Sequence, residues 1–357
     1  MKKKLGGEIM KQKYFAAANT YQGFKSYFDQ VFNPIEYEKI YVIKGGPGTG
    51  KSTLMKTVSE HFEKAGCCVE EIYCSSDPSS LDGLICENSG KKIAILDGTA
   101  PHVVDAKFPG VIEKIINLGA HLDERWLRAQ RDEILALARE KSSAYSAAYS
   151  YMKIAGEAHR FMHDTICKNI DFCKAEKAIF EFCHDFYCEN KVLFKTRLVS
   201  SFGKSGKLKL DTLDKLDCKR IGITGNETEA GAILSYFSSK LSREKIPHTF
   251  FPSALSPDLT DAILLNEGTL MLVLGEGDEN IRSSDFPTEK TCGYNSERIK
   301  SVTYLHDISL GEAERWFKIA SDLHFRLEEI YSAAMSFDKN EAITQEIVSE
   351  MANILEV

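Results

Sequence analysis

The residues best suited to chemistry stand at 45–52, Gly-Gly-Pro-Gly-Thr-Gly-Lys-Ser, with Thr53 behind them. The spacing Gly-x-x-x-x-Gly-Lys-Ser suits a polyphosphate anion. Gly46, Gly48 and Gly50 let the backbone turn with its N–H groups inward, making a concave anion nest. A helix starting near Lys51 adds its unpaired N–H groups and its positive end. Lys51 then reaches the β- and γ-phosphate oxygens, and the Ser52 hydroxyl ligates Mg2+. The expected contacts run from Gly46 through Pro47, Gly48, Thr49, Gly50, Lys51 and Ser52 to Thr53, which meets the α-phosphate.

A carboxylate should complete the metal site. In "KKIAILDGTAPH" the apolar run 93–96 ends in Asp97. An acid at the carboxyl end of a neighbouring strand holds the Mg2+ water shell. The metal set is therefore Ser52 and Asp97, and the catalytic pair Lys51 and Asp97. Gly98 follows, where many vigorous ATPases carry a water-activating glutamate. In "EEIYCSSDPSSLDGLI" Asp77 and Asp82 fall near the same sheet edge, where ligands bind in open α/β folds. They orient a nucleophile or a second substrate, or they are ordinary turn chemistry at Asp77-Pro78 and Asp82-Gly83. His102 has a similar pair of readings, a γ-phosphate sensor or a loop histidine.

These groups need elements to place them. Residues 40–43, IYVI, suit a buried strand, and Leu54, Val58 and Phe62 mark an amphipathic helix after the loop. Residues 70–74 read as a second strand. A chain of 357 residues is long for one core, so two domains are expected. With 43% hydrophobic and 27% charged residues the composition is that of a soluble globular protein. A net charge of −7 gives no footprint for nucleic acid, and no run of about 18 apolar residues exists to span a membrane. The start, "MKKKLGGEIM", lacks the apolar core of a secretory signal, and Met10 is an alternative start. Ten cysteines without a signal segment fit a reducing interior, so a cytoplasmic location with free thiols is expected.

The stretch "RIGITGNETEAGAILSYF" at 220–237 repeats the strand–loop–helix pattern. With a shift of 180, Gly45 meets Gly225, Leu54 meets Leu234 and Ser59 meets Ser239. With 178, Leu81 lies over Leu259 and Ile85 over Ile263. "ERWLRAQ" echoes "ERWFKIA", pairing Trp126 with Trp316, and "YSAAYSYMK" echoes "YSAAMSFDK". A tandem duplication of a whole unit follows. In the second copy Ala230, Gly231, Ala232 and Gly275 replace Gly50, Lys51, Ser52 and Asp97, and Glu227 and Glu229 replace Pro47 and Thr49. A helix N-terminus offers an anion about 0.3–2 kcal/mol. One carboxylate about 4 Å from a phosphate oxygen costs roughly 4 kcal/mol at an effective dielectric of 20. The second loop is therefore expected to reject a triphosphate. Gly203-Lys204-Ser205 lacks the upstream loop glycine, and 195–220 reads as an exposed basic stretch, open to a polyanion contact or simply solvated.

Residues 111–190 are nearly free of Pro and Gly and show helical spacing, so a long helical hairpin is expected, echoed at 309–357. Arg125, Arg128 and Arg131 form either a lid over the nucleotide or a solvated face. His163, Cys167, Cys173, Cys183, His184 and Cys188 fall on the arm. His163 and Cys167, four apart, have the spacing to share a zinc ion, although no C-x-x-C pair accompanies them.

The loop, Asp97 and the duplicated layout resemble the P-loop nucleoside triphosphatases. More narrowly, the "CSSDP" and "DGTAPH" segments resemble an uncharacterised bacterial family of tandem P-loop ATP-binding proteins, ATPase-like or nucleotide-kinase-like. In that family both loops are often intact, and this chain departs from it in its second half. The expected fold is α/β, two tandem P-loop units with mainly parallel sheets, each followed by a helical arm. Its expected boundaries are 10–110, 111–192, 193–308 and 309–357. The resemblance implies a Mg2+-dependent ATPase with ATP and Mg2+ as cofactors; no Asn-Lys-x-Asp segment points to GTP. The alternatives are a kinase acting on a small-molecule acceptor, and a non-catalytic ATP sensor meeting a protein partner through its degenerate half.

Overall fold

A computed structural model describes residues 11–101, 103–183, 195–265, 268–288 and 296–357. His102, His184, Cys188 and the side chain of Cys183 lie outside the described set. The fold is mixed α/β with two six-stranded, mostly parallel sheets. The first runs in the order β1 (Gln12–Phe15), β5 (Cys68–Tyr73), β6 (Leu81–Asn88), β7 (Lys91–Asp97), β4 (Lys39–Lys44) and β8 (Glu113–Asn117). Only β6 runs against its neighbours. Its inner strands are continuous apolar runs, because helices cover parallel sheets on both faces. Ile40, Tyr41, Val42 and Ile43 are all buried, as are 93–96. After a short turn of helix, α1 (Phe28–Val31), and the β4 strand, helix α2 (Lys51–Lys64) lays Leu54, Met55, Val58 and Phe62 into the core.

The second sheet repeats this connectivity strand for strand: β9 (Lys195–Thr196), β13 (His248–Pro252), β14 (Thr260–Leu265), β15 (Leu270–Leu274), β12 (Lys219–Thr224) and β16 (Glu279–Arg282). Each half also carries a small hairpin, β2 (Ala17–Thr20) with β3 (Gly23–Ser26), and β10 (Ser200–Gly203) with β11 (Gly206–Lys209). Helix α6 (Glu227–Arg243) takes the place of α2.

Hydrogen-bond ladders correct the alignment of the two halves. Gly98 N donates to Ile43 O at 2.9 Å, and Gly275 N donates to Ile223 O at 3.1 Å. Gly275 is thus the counterpart of Gly98, and Leu274 stands where Asp97 stands. Gly83 pairs with Leu96, and Ala262 with Val273, so Asp82 is matched by Asp261. On the helices, the buried residues Leu234, Phe237 and Leu241 repeat the spacing of Met55, Val58 and Phe62. Leu234 therefore matches Met55 and not Leu54. Small length changes fall in the loops, where the ladder does not constrain them.

The arms depart further from expectation. They are α3 (Glu124–Ala129), α4 (Arg131–Cys167) and α5 (Phe172–Cys183) in the first half, and α7 (Ser296–Ala333) and α8 (Phe337–Leu355) in the second. Strand β8 carries the first sheet beyond the boundary expected at 110, and α7 begins before 309. Trp126 lies on the short α3, whereas Trp316 lies deep inside α7, so the two "ERW" blocks are not equivalent in space. The turn between α4 and α5 bridges Ile170 to Pro287. The turn between α7 and α8 bridges Met335 to Leu122. The arms are thus exchanged: each docks beside the last sheet strand of the other half. One compact unit accordingly comprises 11–16 of the described chain, Phe28–Tyr145 and Phe317–Val357; the other comprises Ala17–Tyr27 and Ser146–Trp316. In the first unit Ile347, Met351 and Leu355 of α8 share a core with Phe62 and Ile95. In the second, Ala175 and Ile179 of α5 join Phe237 and Leu272. Among the described residues no helix is long and apolar enough to cross a membrane.

If α8 belongs to the first core, Met351→Ala, at a side chain with 0% exposure, should cost about 2–5 kcal/mol. Urea unfolding measures this, and an unchanged midpoint would remove α8 from that core.

Candidate functional site

Between β4 and α2 the chain runs through Gly45 to Gly50. Gly48 has φ 67° and Gly50 φ 83°, left-handed values that glycine adopts without strain. A side chain at Gly48 would also place its Cβ 2.4 Å from the Glu328 carbonyl oxygen. The loop rests on the C-terminal arm. Ser332 Oγ donates to Gly48 O at 2.9 Å, and Asn340 Nδ2 donates to Thr49 O at 2.8 Å. Each carbonyl shares a trans peptide plane with the next N–H, and the two point in opposite directions. Fixing the oxygens of Gly48 and Thr49 on the arm therefore turns the N–H groups of Thr49 and Gly50 to the other side. Among the described residues no protein group accepts from either N–H. Thr49 is buried, and its hydroxyl closes the loop by donating to Gly46 O at 2.9 Å.

Lys51 folds back over this loop, donating to Gly45 O at 3.0 Å and Gly46 O at 2.7 Å. Its ammonium lies 3.6 Å from Asp97 Oδ2. The other Asp97 oxygen accepts from Thr99 N at 2.8 Å and from the Thr99 hydroxyl at 2.5 Å. Burial pushes the Asp97 carboxyl up; Lys51 and Thr99 pull it down, and the charge of Asp82 adds to the rise. Ser52 Oγ accepts from Leu81 N at 2.9 Å, which brings the start of β6 against the start of α2. The structure thus gathers Lys51, Ser52, Asp97 and Asp82 at one edge of the first sheet. Thr53 stands exposed on the first turn of α2. Ser52 Oγ and the Asp97 carboxylate are hard oxygen donors, the type Mg2+ takes.

Asp77 accepts from Ser79 N at 3.4 Å and Ser79 Oγ at 2.9 Å, the geometry of a local turn. Arg128 pairs with Glu124 and Arg131 with Asp132 on exposed helix surface, and Arg125 is exposed beside them. His163 Nε2 lies 3.4 Å from Cys167 Sγ. Among the described residues no group of three or more His, Cys, Asp or Glu side chains is placed to hold a metal. Sequence reasoning missed Ser332 and Asn340, which are polar residues in a helical arm with no signature of their own.

The second unit closes its equivalent loop by a different means than charge alone. Only Gly225 and Asn226 separate β12 from α6. Asn226 Oδ1 accepts from Thr228 N at 3.0 Å and from Glu229 N at 3.3 Å, occupying donors an anion would use. Glu229 accepts from Ser283 Oγ at 2.8 Å, and Glu227 pairs with Lys207 at 2.9 Å. Ala230, the counterpart of Lys51, is buried. A cavity of about 910 Å³ is lined by second-unit residues such as Tyr21, His159, Tyr236 and Asp258 and includes none of the glycine loop.

A carboxyl raised by burial in the folded state costs stability once pH exceeds its unfolded value, and the cost is complete above its folded value. Asp97→Asn removes that charge. It should therefore melt no lower than the wild type at neutral pH, measured by thermal unfolding; a clear fall in Tm would show that Asp97 holds the fold and not a ligand. Comparison with protein-family models, with curated proteins and with solved structures finds no match, so the functional reading rests on this geometry.

Proposed function

We propose that the glycine loop binds ATP with Mg2+ and that the chain is an ATPase whose nucleotide state is passed to the C-terminal arm. One observation carries this reading: the arm itself fixes two loop carbonyls, so that two N–H groups of the loop face away from it, in a loop that also holds Lys51 beside Asp97. In the proposed complex the β- and γ-phosphates take the ammonium of Lys51 away from the Gly45 and Gly46 carbonyls. The N–H groups of the loop and of the first turn of α2 receive the phosphate oxygens. Ser52 and Asp97 would hold the metal with their oxygens. Mg2+ neutralises charge developing on the phosphoryl group. Because Ser332 and Asn340 touch the same peptides, any shift of the loop on hydrolysis moves the turn between α7 and α8. The second unit, with its shortened loop and capped helix, serves structure or regulation.

Calorimetry with Mg-ATP and a phosphate-release assay test the site. Lys51→Ala should weaken Mg-ATP binding about 100-fold or more, roughly 2.7 kcal/mol. Equal affinity in the variant sinks the nucleotide reading. Asn340→Ala frees the Thr49 carbonyl and should weaken Mg-ATP binding about tenfold without touching phosphate directly; no change would separate the arm from the loop. Ala230→Lys, at the counterpart of Lys51, should create no second nucleotide site, because Asn226 still caps α6; two equivalents of bound ATP would contradict this.

A further inference from the structure

The ladder between β6 and β7 pairs Gly83 with Leu96. Asp82 and Asp97 come just beyond that last pair, where a β-bulge interrupts β6: Ile72 pairs with Gly83 but Tyr73 with Leu81, so Asp82 is the extra residue. The charge of Asp82 lies near enough to Asp97 to push that carboxyl up. Leu81, Leu84, Ile93 and Ile95 share a core with Leu54 and Val58, which sets this end of β6 beside the first turns of α2. The Leu81–Ser52 hydrogen bond sets Asp82 one residue from the serine hydroxyl. Asp82 is 8% exposed and hydrogen-bonds with the Cys74 side chain. In the same turn the buried Ser75 hydroxyl has no protein partner. Neighbouring carboxylates, Asp82 buried and Asp97 half-buried, repel, and such an arrangement is more often kept for chemistry than for stability.

We propose that Asp82 orients and deprotonates the attacking water in nucleotide hydrolysis at the loop, the role that Gly98 leaves unfilled. This rests on the nucleotide reading above. A lone pair of the water oxygen forms the new bond to the γ-phosphorus. The water proton passes to an Asp82 oxygen. The bond from the γ-phosphorus to the bridging oxygen breaks, its electron pair leaves with ADP, and Asp82 then releases the proton to solvent. A purely structural role is the competing account, because the second unit keeps Asp261 at the same register. Asp261, however, accepts from Ser200 Oγ at 2.8 Å, and in the second unit Leu274 stands where Asp97 stands. Asp82 carries its charge near Asp97, and its neighbour Leu81 holds the serine of the loop.

The test uses the full chain with Mg-ATP, measuring phosphate release at saturation and binding by calorimetry. Asp82→Asn should lower kcat about 10²–10⁴-fold while nucleotide affinity and the Mg2+ requirement stay within about threefold. Asp77→Asn should leave kcat within about twofold, since that carboxylate closes a turn on Ser79. Should Asp82→Asn not fold, Asp82→Glu moves the carboxylate by one methylene and should cut kcat about tenfold or more with affinity kept. Wild-type turnover in either folded variant, or a loss that excess Mg2+ restores, overturns the assignment of Asp82 alone. A wild-type chain that binds no Mg-ATP overturns the nucleotide reading, and the assignment with it.

Discussion

A peptide plane that fixes its oxygen on one side commits its N–H to the other, and two such planes shape the glycine loop. Glycine supplies the left-handed turns at Gly48 and Gly50, but it also leaves the chain free to leave them. Ser332 and Asn340 remove that freedom by holding the carbonyls of Gly48 and Thr49. The close approach of Glu328 O to Gly48 leaves no room for a side chain there. Preorganisation of this kind matters because an anion site that must order itself on binding loses affinity to the ordering.

The exchange of arms follows from the same contacts. Helix α8 joins the core behind α2 and the first sheet, while α5 joins the core of the second sheet. Each half of the sequence thus completes a core made mainly by the other half. The polar contacts to the loop sit at the turn between α7 and α8, where the Leu122–Met335 bridge and the bond from Asp123 N to Ala334 O pin the arm in place. Polar anchoring of the loop and apolar anchoring of the arm are therefore parts of one packing arrangement.

The second unit shows what remains when the loop is lost and the scaffold stays. Strand order, pairing directions and hairpin are all preserved. The cradle disappears because α6 begins at Glu227, directly after a capping Asn226, so residues that would line a loop are wound into a helix. Steric closure and capping act there before any repulsion between glutamates and phosphate comes into account; both glutamates have partners of their own.

Local chemistry was legible in the sequence. The glycine spacing, the apolar runs at 40–43 and 93–96 and the stripe of Leu54, Val58 and Phe62 dictate strand, loop and helix, because each depends on residues near one another in the chain. The duplication was legible too, though its register slipped by one residue where loops changed length. Strand β8 was hidden inside a stretch free of Pro and Gly, since an apolar run as short as "KII" does not distinguish strand from helix. What only the tertiary structure decided is long-range placement: that Asp82 comes near Asp97, that Leu274 replaces Asp97 in the second half, and that Ser332 and Asn340 hold a loop nearly 300 residues away. Antiparallel registers and arm exchange depend on how separate apolar faces are buried together, and no local pattern encodes which faces meet.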